Sequence, residues 1–122
     1  MKLYVCPVCG NVVELLEGDI ERVTCCGVEM ELIEANVKDA SAEKHVPVYE
    51  KKDDKIEVSV GSTLHPMEED HYITWIAIES DNQIIKTNLK PHEEPKAVFP
   101  YKKDAKIYAY CNNHGLWMTK VD

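Results

Sequence analysis

Residues 55–60 read KIEVSV, a stretch in which β-branched apolar side chains alternate with polar or charged ones. Alternation with a period of two directs one face of a strand into a core and the other into solvent. Asp53-Asp54 precedes the stretch and Gly61-Ser62 follows it, and both pairs favour turns. The stretch therefore predicts a half-buried β-strand bounded by two turns.

Similar short stretches recur from residue 46 to residue 121, and turn-prone segments such as Asp81-Asn82 and PHEEP (91–95) separate some of them. They are rich in β-branched and aromatic residues, which favour strands. The stretches are VPVYE (46–50), YITWIAIE (72–79), QIIKTNL (83–89), KAVFPY (96–101), KIYAYC (106–111) and LWMTKV (116–121). About seven strands at this spacing predict an all-β fold, an antiparallel β-sandwich.

The N-terminal residues have a different character. They carry CPVCGN at 6–11 and TCCGVEM at 24–30, and the connecting VVELLEGDIERV predicts two short strands around a turn at Gly18-Asp19. A piece of this size cannot bury a sufficient core and needs a cross-link. Residues 36–45 are polar and predict a linker or surface loop with at most one helical turn. We therefore expect two domains, residues 1–36 and residues 37–122.

The composition restricts the class of function. The 122 residues include 22 acidic and 14 basic side chains, for a formal net charge of −8. This charge repels phosphate backbones and argues against a nucleic-acid partner. The N-terminal stretch has no apolar run of signal-peptide type, and no stretch approaches the roughly 18 apolar residues of a membrane span. We expect a soluble, cytoplasmic protein whose five cysteines favour metal binding over disulfides.

Four cysteines form the first candidate metal site. Cys6 and Cys9 lie in a Cys-x-x-Cys turn, which brings two thiolates to one ion, and the glycine that follows permits the tight turn. Cys25 and Cys26 are adjacent, so both reach the same ion only if the chain bends there, and Gly27 provides that freedom. An all-sulfur site suits zinc or iron. The alternatives are buried thiols or a strained disulfide between the adjacent cysteines.

The second candidate site combines residues at the ends of different predicted strands. Four of the five histidines lie where a strand meets a turn, and a sandwich can gather them at one end. Any one of them alone would more often be a surface or hydrogen-bonded core residue, but a cysteine nearby makes metal ligation the better interpretation. His92 lies at a predicted loop tip and is left out. The proposed ligands are His45, His65, His71, Cys111 and His114.

Five protein ligands leave an octahedral ion with one open position, and imidazole suits iron as well as zinc. An open position favours catalysis or ligand binding over a purely structural ion. Two other classes of function remain open at this point. One is a non-catalytic iron protein that transfers electrons or binds metal, and the other is a zinc-stabilised binding module.

The motifs CPVCGN, TCCGVEM, EKHVPV, HPMEEDHYITWI, LKP and YCNNHGLW follow one another along nearly the whole chain. In this order and at these spacings the chain resembles desulfoferrodoxin, the two-iron family of superoxide reductases. The resemblance implies a desulforedoxin-like four-cysteine module followed by an immunoglobulin-like β-sandwich, two mononuclear non-heme iron ions and a homodimer. It implies four equatorial histidines and an axial Cys111 at the second, catalytic iron. Leu116 departs from the family, which often has a histidine there.

The activity that the resemblance implies is the one-electron reduction of superoxide to hydrogen peroxide, a detoxification under oxidative stress, with a small electron donor such as rubredoxin. Lys44 is expected to attract superoxide and, with water, to supply protons. Glu43 resembles the family's sixth ligand of the resting ferric iron. Because neighbours in an extended loop face opposite ways, we expect the two residues to address the iron in alternation. We also expect backbone N–H groups of Asn113 and His114 to bond the sulfur of Cys111.

Overall fold

The chain is built mainly from short β-strands. The structure is a computed structural model that describes residues 1–18 and 22–122. The described residues divide into two compact units, Met1–Glu34 and Ala35–Asp122. Among them, no helix is both long and apolar enough to cross a membrane.

The first unit holds two small antiparallel sheets. One has the order β2-β1-β5 and the other pairs β3 with β4. The strands are β1 (Leu3–Val5), β2 (Val12–Glu14), β3 (Thr24–Cys25), β4 (Val28–Glu29) and β5 (Glu31–Leu32). Leu3, Cys6 and Met30 are its buried apolar residues among those described.

The expected hairpin within residues 12–23 differs from the structure. The first of its two strands is β2, but β2 pairs with β1, and residues 22 and 23 belong to no strand. The Cys-x-x-Cys segment is the turn that makes this pairing possible, because the N–H of Cys6 bonds the carbonyl of Asn11 at 2.9 Å and the N–H of Gly10 bonds that of Cys6 at 3.0 Å. The turn predicted at Gly18-Asp19 falls partly outside the described residues.

The second unit begins with a single helical turn and continues with seven strands. These elements are α1 (Ala42–His45), β6 (Pro47–Lys52), β7 (Lys55–Val60), β8 (Ile73–Ser80), β9 (Gln83–Asn88), β10 (Lys96–Pro100), β11 (Lys106–Cys111) and β12 (Gly115–Lys120). They form a three-stranded antiparallel sheet, β10-β7-β6, and a four-stranded one, β12-β11-β8-β9. The seven predicted strands and the all-β fold class are confirmed.

The alternating stretch at residues 55–60 forms the centre of the core. Its apolar side chains Ile56, Val58 and Val60 are at most 1% exposed and belong to one cluster with Ile76 and Ile107 of the other sheet. Burying a side chain of this size contributes about 1.5–3 kcal/mol to folding. The two sheets are therefore held face to face by their apolar sides, as in a β-sandwich.

The segment before β6 corrects one expectation about local geometry. Glu43 and Lys44 were expected in an extended loop, but they lie in α1, where the N–H of Val46 bonds the carbonyl of Ala42 at 2.9 Å. Ala, Glu and Lys are strong helix formers, and Pro47 prevents the turn from continuing. Neighbouring residues in a helix point about 100° apart. The backbone therefore does not force these two side chains to opposite sides.

Candidate metal centres

Several strand ends of the sandwich converge on one group of donor atoms. His45 ends α1, His65 follows the turn after β7, His71 precedes β8, Cys111 ends β11 and His114 precedes β12. One donor atom from each lies within 4.8 Å of the others. The structure thus brings together all five residues that the sequence placed in the second site. His92 is exposed and lies outside this group.

Backbone carbonyls orient two of the imidazoles. The Nδ1 of His45 lies 2.7 Å from the Ser41 carbonyl, and the Nδ1 of His65 lies 2.7 Å from the Pro66 carbonyl. Because a carbonyl only accepts, each Nδ1 carries the proton and each Nε2 presents a lone pair. The two Nε2 atoms are 3.1 Å apart, and that of His45 lies 3.2 Å from Nδ1 of His114. At this distance the lone pairs of the Nε2 atoms of His45 and His65 repel each other unless a cation lies between them.

The protonation of these imidazoles also suits a metal. Burial lowers the pKa of His65 to about 4. Burial likewise lowers the pKa of His45 against the opposing bond to Ser41, and the charges of neighbouring histidines and of Lys44 add to the effect. The Nε2 of His71 is buried with no hydrogen-bond partner, although buried polar atoms nearly always have one. Neutral imidazole is the form that binds metal.

Cys111 supplies the one sulfur of the group. It is fully buried, and burial raises its pKa, while backbone N–H groups of Asn113 and His114 oppose that rise. Both N–H groups thus act on the pKa of this thiol in the direction that the sequence predicts. A buried thiolate needs a cation beside it. Four nitrogens and one thiolate are one donor more than structural zinc normally uses, and this set fits iron.

Asn112 is a residue that the sequence reasoning missed. Its side-chain oxygen accepts the N–H of Tyr72 at 3.0 Å, and its amide nitrogen donates to the Asp70 carbonyl at 3.0 Å. These bonds join the segment that carries His71 to the loop that follows Cys111. An asparagine beside a candidate ligand is a weak signal, because only the folded chain shows which loop it contacts.

Trp117 is a second residue that the sequence left without a role. Its Nε1 donates to the His114 carbonyl at 3.1 Å, and its ring lies 5.0 Å from that of His45 at an interplanar angle of 32°. The indole is 3% exposed. Trp117 therefore contacts two of the candidate ligands, His45 and His114, and helps to position them.

Glu43 and Lys44, the predicted catalytic pair, are both exposed beside His45. The Glu43 carboxylate does not belong to the five-donor group and instead accepts a hydrogen bond from the Thr63 hydroxyl at 2.7 Å. The structure therefore places the pair next to a candidate ligand with the carboxylate held elsewhere, and their catalytic roles stay predictions.

The four N-terminal cysteines form a second group, with all four sulfurs within 4.8 Å of one another. The sulfurs of the adjacent Cys25 and Cys26 are 3.8 Å apart and not bonded, so no disulfide joins them. The expected bend is present, with a φ of 54° at Cys26 and 74° at Gly27. Backbone N–H groups of Cys9 and Val8 lower the pKa of Cys6 to about 7, which favours the thiolate.

Comparison with known proteins agrees with this arrangement. Residues 37–120 match the family model for desulfoferrodoxin, and residues 1–33 match the model for the desulfoferrodoxin N-terminal domain. The chain belongs to the desulfoferrodoxin family. The two groups of donors correspond to the two iron sites of that family.

Individual members of the family and related structures are close in sequence or fold. The chain is 47% identical over 120 residues to the desulfoferrodoxin homolog of Archaeoglobus fulgidus, covering 98% of this chain and 96% of that protein. It is 43% identical over 103 residues to the superoxide reductase of Pyrococcus abyssi, covering 68% and 90%. The crystal structure of the superoxide reductase from Treponema pallidum superposes with a TM-score of 0.75 at 28% identity, covering 97% of this chain and 98% of that one.

Proposed function

We propose that the protein is a superoxide reductase, which converts superoxide, one electron and two protons into hydrogen peroxide without releasing oxygen. The observation that carries the proposal is the five-donor group of imidazoles and one thiolate at the end of the sandwich. Iron bound there supplies the electron and an open position for a small anion. Relatives named as superoxide reductases support the same activity.

The chain's own residues prepare this site in two ways. Carbonyls of Ser41 and Pro66 fix the tautomers of two imidazoles, so their lone pairs point at the ion without rearrangement. Backbone N–H groups bond the sulfur of Cys111 and moderate its basicity. Such bonds are an ordinary means of setting the potential of a thiolate-bound metal. Residues 37–122 thus carry the catalytic iron, and residues 1–36 form the four-cysteine iron module.

Lys44 attracts the substrate and supplies protons. Superoxide is an anion and the protein carries a net charge of −8, so a local cation must counter the overall repulsion. Lys44 directly precedes His45, and its positive charge contributes to the lowered pKa of that histidine. The ammonium donates protons to the reduced substrate together with water. Glu43 would supply a sixth ligand to iron in the resting ferric form.

The partners and location follow from the family resemblance. A small electron carrier such as rubredoxin returns the protein to its ferrous form, and two chains form a homodimer in the cytoplasm. The net negative charge of the chain repels superoxide, so lysines near the site, such as Lys44, must offset that repulsion.

The purified protein tests the proposal directly. Metal analysis should find two irons per chain. Pulse-generated superoxide should be consumed with one hydrogen peroxide formed per superoxide and no oxygen. A colourless, zinc-containing protein would favour the binding module. An iron protein whose spectrum small anions do not change, and which leaves superoxide intact, would favour electron transfer alone.

A further inference from the structure

The turn between β7 and His65 forms hydrogen bonds to Glu43, the residue that is proposed as the sixth ligand. The Thr63 hydroxyl donates to Oε1 of Glu43 at 2.7 Å, and the Thr63 N–H donates to the Glu43 carbonyl at 3.2 Å. The Ser62 hydroxyl donates to the same carbonyl, also at 3.2 Å. Two adjacent residues therefore hold both the backbone and the side chain of Glu43.

Gly61 fixes the same backbone by close contact. A Cβ atom on Gly61 would lie 2.5 Å from the Glu43 carbonyl oxygen, 2.9 Å from that of Val46 and 3.1 Å from the carbonyl carbon of Lys44. Gly61 is buried, so the helical turn lies directly on its Cα. The main chain of Glu43 is thus seated by contacts that do not involve its carboxylate. The part of Glu43 that is free to move is its side chain.

As a sixth ligand, the Glu43 carboxylate would have to occupy a position other than the one in the structure. In the structure it accepts the Thr63 hydroxyl and lies outside the five-donor group. To act as a sixth ligand it must leave Thr63. We propose that Thr63 is a positioning residue that holds the Glu43 carboxylate off the iron, so that the open position stays accessible to an anion. The exchange is a rotation of the Glu43 side chain on a stationary backbone. This inference rests on the proposed function.

The hydrogen bond between Thr63 and Glu43 is weak enough to break and re-form. A hydroxyl that donates to an ionised carboxylate forms a stronger bond than a neutral pair does. Both residues are exposed, so water competes for each partner. We expect the Thr63 hydroxyl to shift the balance between the two carboxylate positions by about tenfold, which corresponds to about 1.4 kcal/mol. A bias of this size opposes ligation by Glu43 without preventing it.

Azide binding to the ferric protein measures the balance, because azide and the Glu43 carboxylate compete for one position. Thr63→Val removes the hydroxyl and keeps the shape and the backbone N–H, whereas Thr63→Ser keeps the donor. Visible absorption should show azide binding about tenfold weaker in Thr63→Val than in the wild type. Thr63→Ser should bind azide like the wild type. In a Glu43→Ala background, Thr63→Val should have no further effect.

Two results would overturn the inference. One is equal azide affinity in the wild type and Thr63→Val. The other is a loss of affinity that persists in the Glu43→Ala background, since the hydroxyl would then act without the carboxylate. A wild-type protein that holds no iron at the five-donor group, or whose iron binds no anion, would overturn the proposed function itself. That outcome is distinct, because metal analysis and the wild-type titration precede any variant.

Discussion

Gly61→Ala should disturb the catalytic site through the backbone of the helical turn. The added methyl would lie 2.5 Å from the Glu43 carbonyl oxygen, whereas a carbon–oxygen contact needs about 3.3 Å. The turn must therefore move by about 0.8 Å, because the nearest atoms belong to backbone and not to a flexible side chain. Overpacking of this kind costs about 1–3 kcal/mol. That range lowers the melting temperature by about 4–24 °C for a unit of this size.

The displacement should also reach His45, which lies two residues after Glu43. A shift of about 1 Å at a catalytic group can lower a rate by about a hundredfold, so we expect superoxide reduction to fall at least tenfold. Calorimetry and pulse-generated superoxide would measure the two effects. Ser59→Ala, two residues earlier on β7, serves as the control and should change stability by less than about 0.5 kcal/mol.

The four-cysteine iron provides an internal reference in the same sample. Its absorption should be unchanged in Gly61→Ala, because its ligands all lie in the unit Met1–Glu34. Equal melting temperature, iron content and rate in Gly61→Ala and the wild type would refute the reasoning that the turn is seated on this glycine. Loss of both iron spectra would also refute it, because the damage would then not be local.

Substitutions at three further residues test the division of roles. Cys9→Ser should remove the four-sulfur iron spectrum and leave superoxide reduction within about twofold of the wild type, because the donors of the catalytic site all follow residue 44. Loss of activity with the second iron still bound would contradict this expectation. Cys111→Ser should abolish the thiolate absorption of the second iron and slow reduction by at least about a hundredfold, since a hydroxyl is a weak donor to iron; unchanged kinetics would exclude the thiolate from the mechanism. Lys44→Ala should slow the second-order reaction with superoxide about tenfold at low salt and make its rate less dependent on salt. Lys44→Arg should keep most of the rate. Equal salt slopes in the wild type and Lys44→Ala would argue against electrostatic steering by Lys44.

The sandwich could be predicted from the sequence because its strands carry their own signal. The stretch KIEVSV alternates with a period of two, and the structure buries Ile56, Val58 and Val60 as that period requires. The five-donor group was also predictable, since each member lies near the start or end of a strand and antiparallel pairing brings those ends together at one end of the sandwich.

The contacts that hold the donors in place could not be predicted in the same way. The bond from Thr63 to Glu43 and that from Asn112 to Asp70 join residues 20 and 42 positions apart. Polar side chains in turns carry no periodic signal, so nothing in the sequence indicates their partners. The sequence allowed one helical turn within residues 36–45 but did not indicate that it would include Glu43, for a related reason. One turn is too short for an apolar pattern. Its conformation depends on packing against Gly61, which is distant in the sequence.

The five-donor group is connected to folding as well as to chemistry. His71 presents a buried nitrogen with no hydrogen-bond partner, His45 and His65 point lone pairs at each other, and Cys111 is buried where its thiolate is costly. Each feature opposes the packed state of the protein alone, and one cation among the donors relieves all three. A ligand that binds only the folded form stabilises it by mass action. The sandwich therefore holds the donors in place, and a bound ion in turn stabilises the end of the sandwich where they lie.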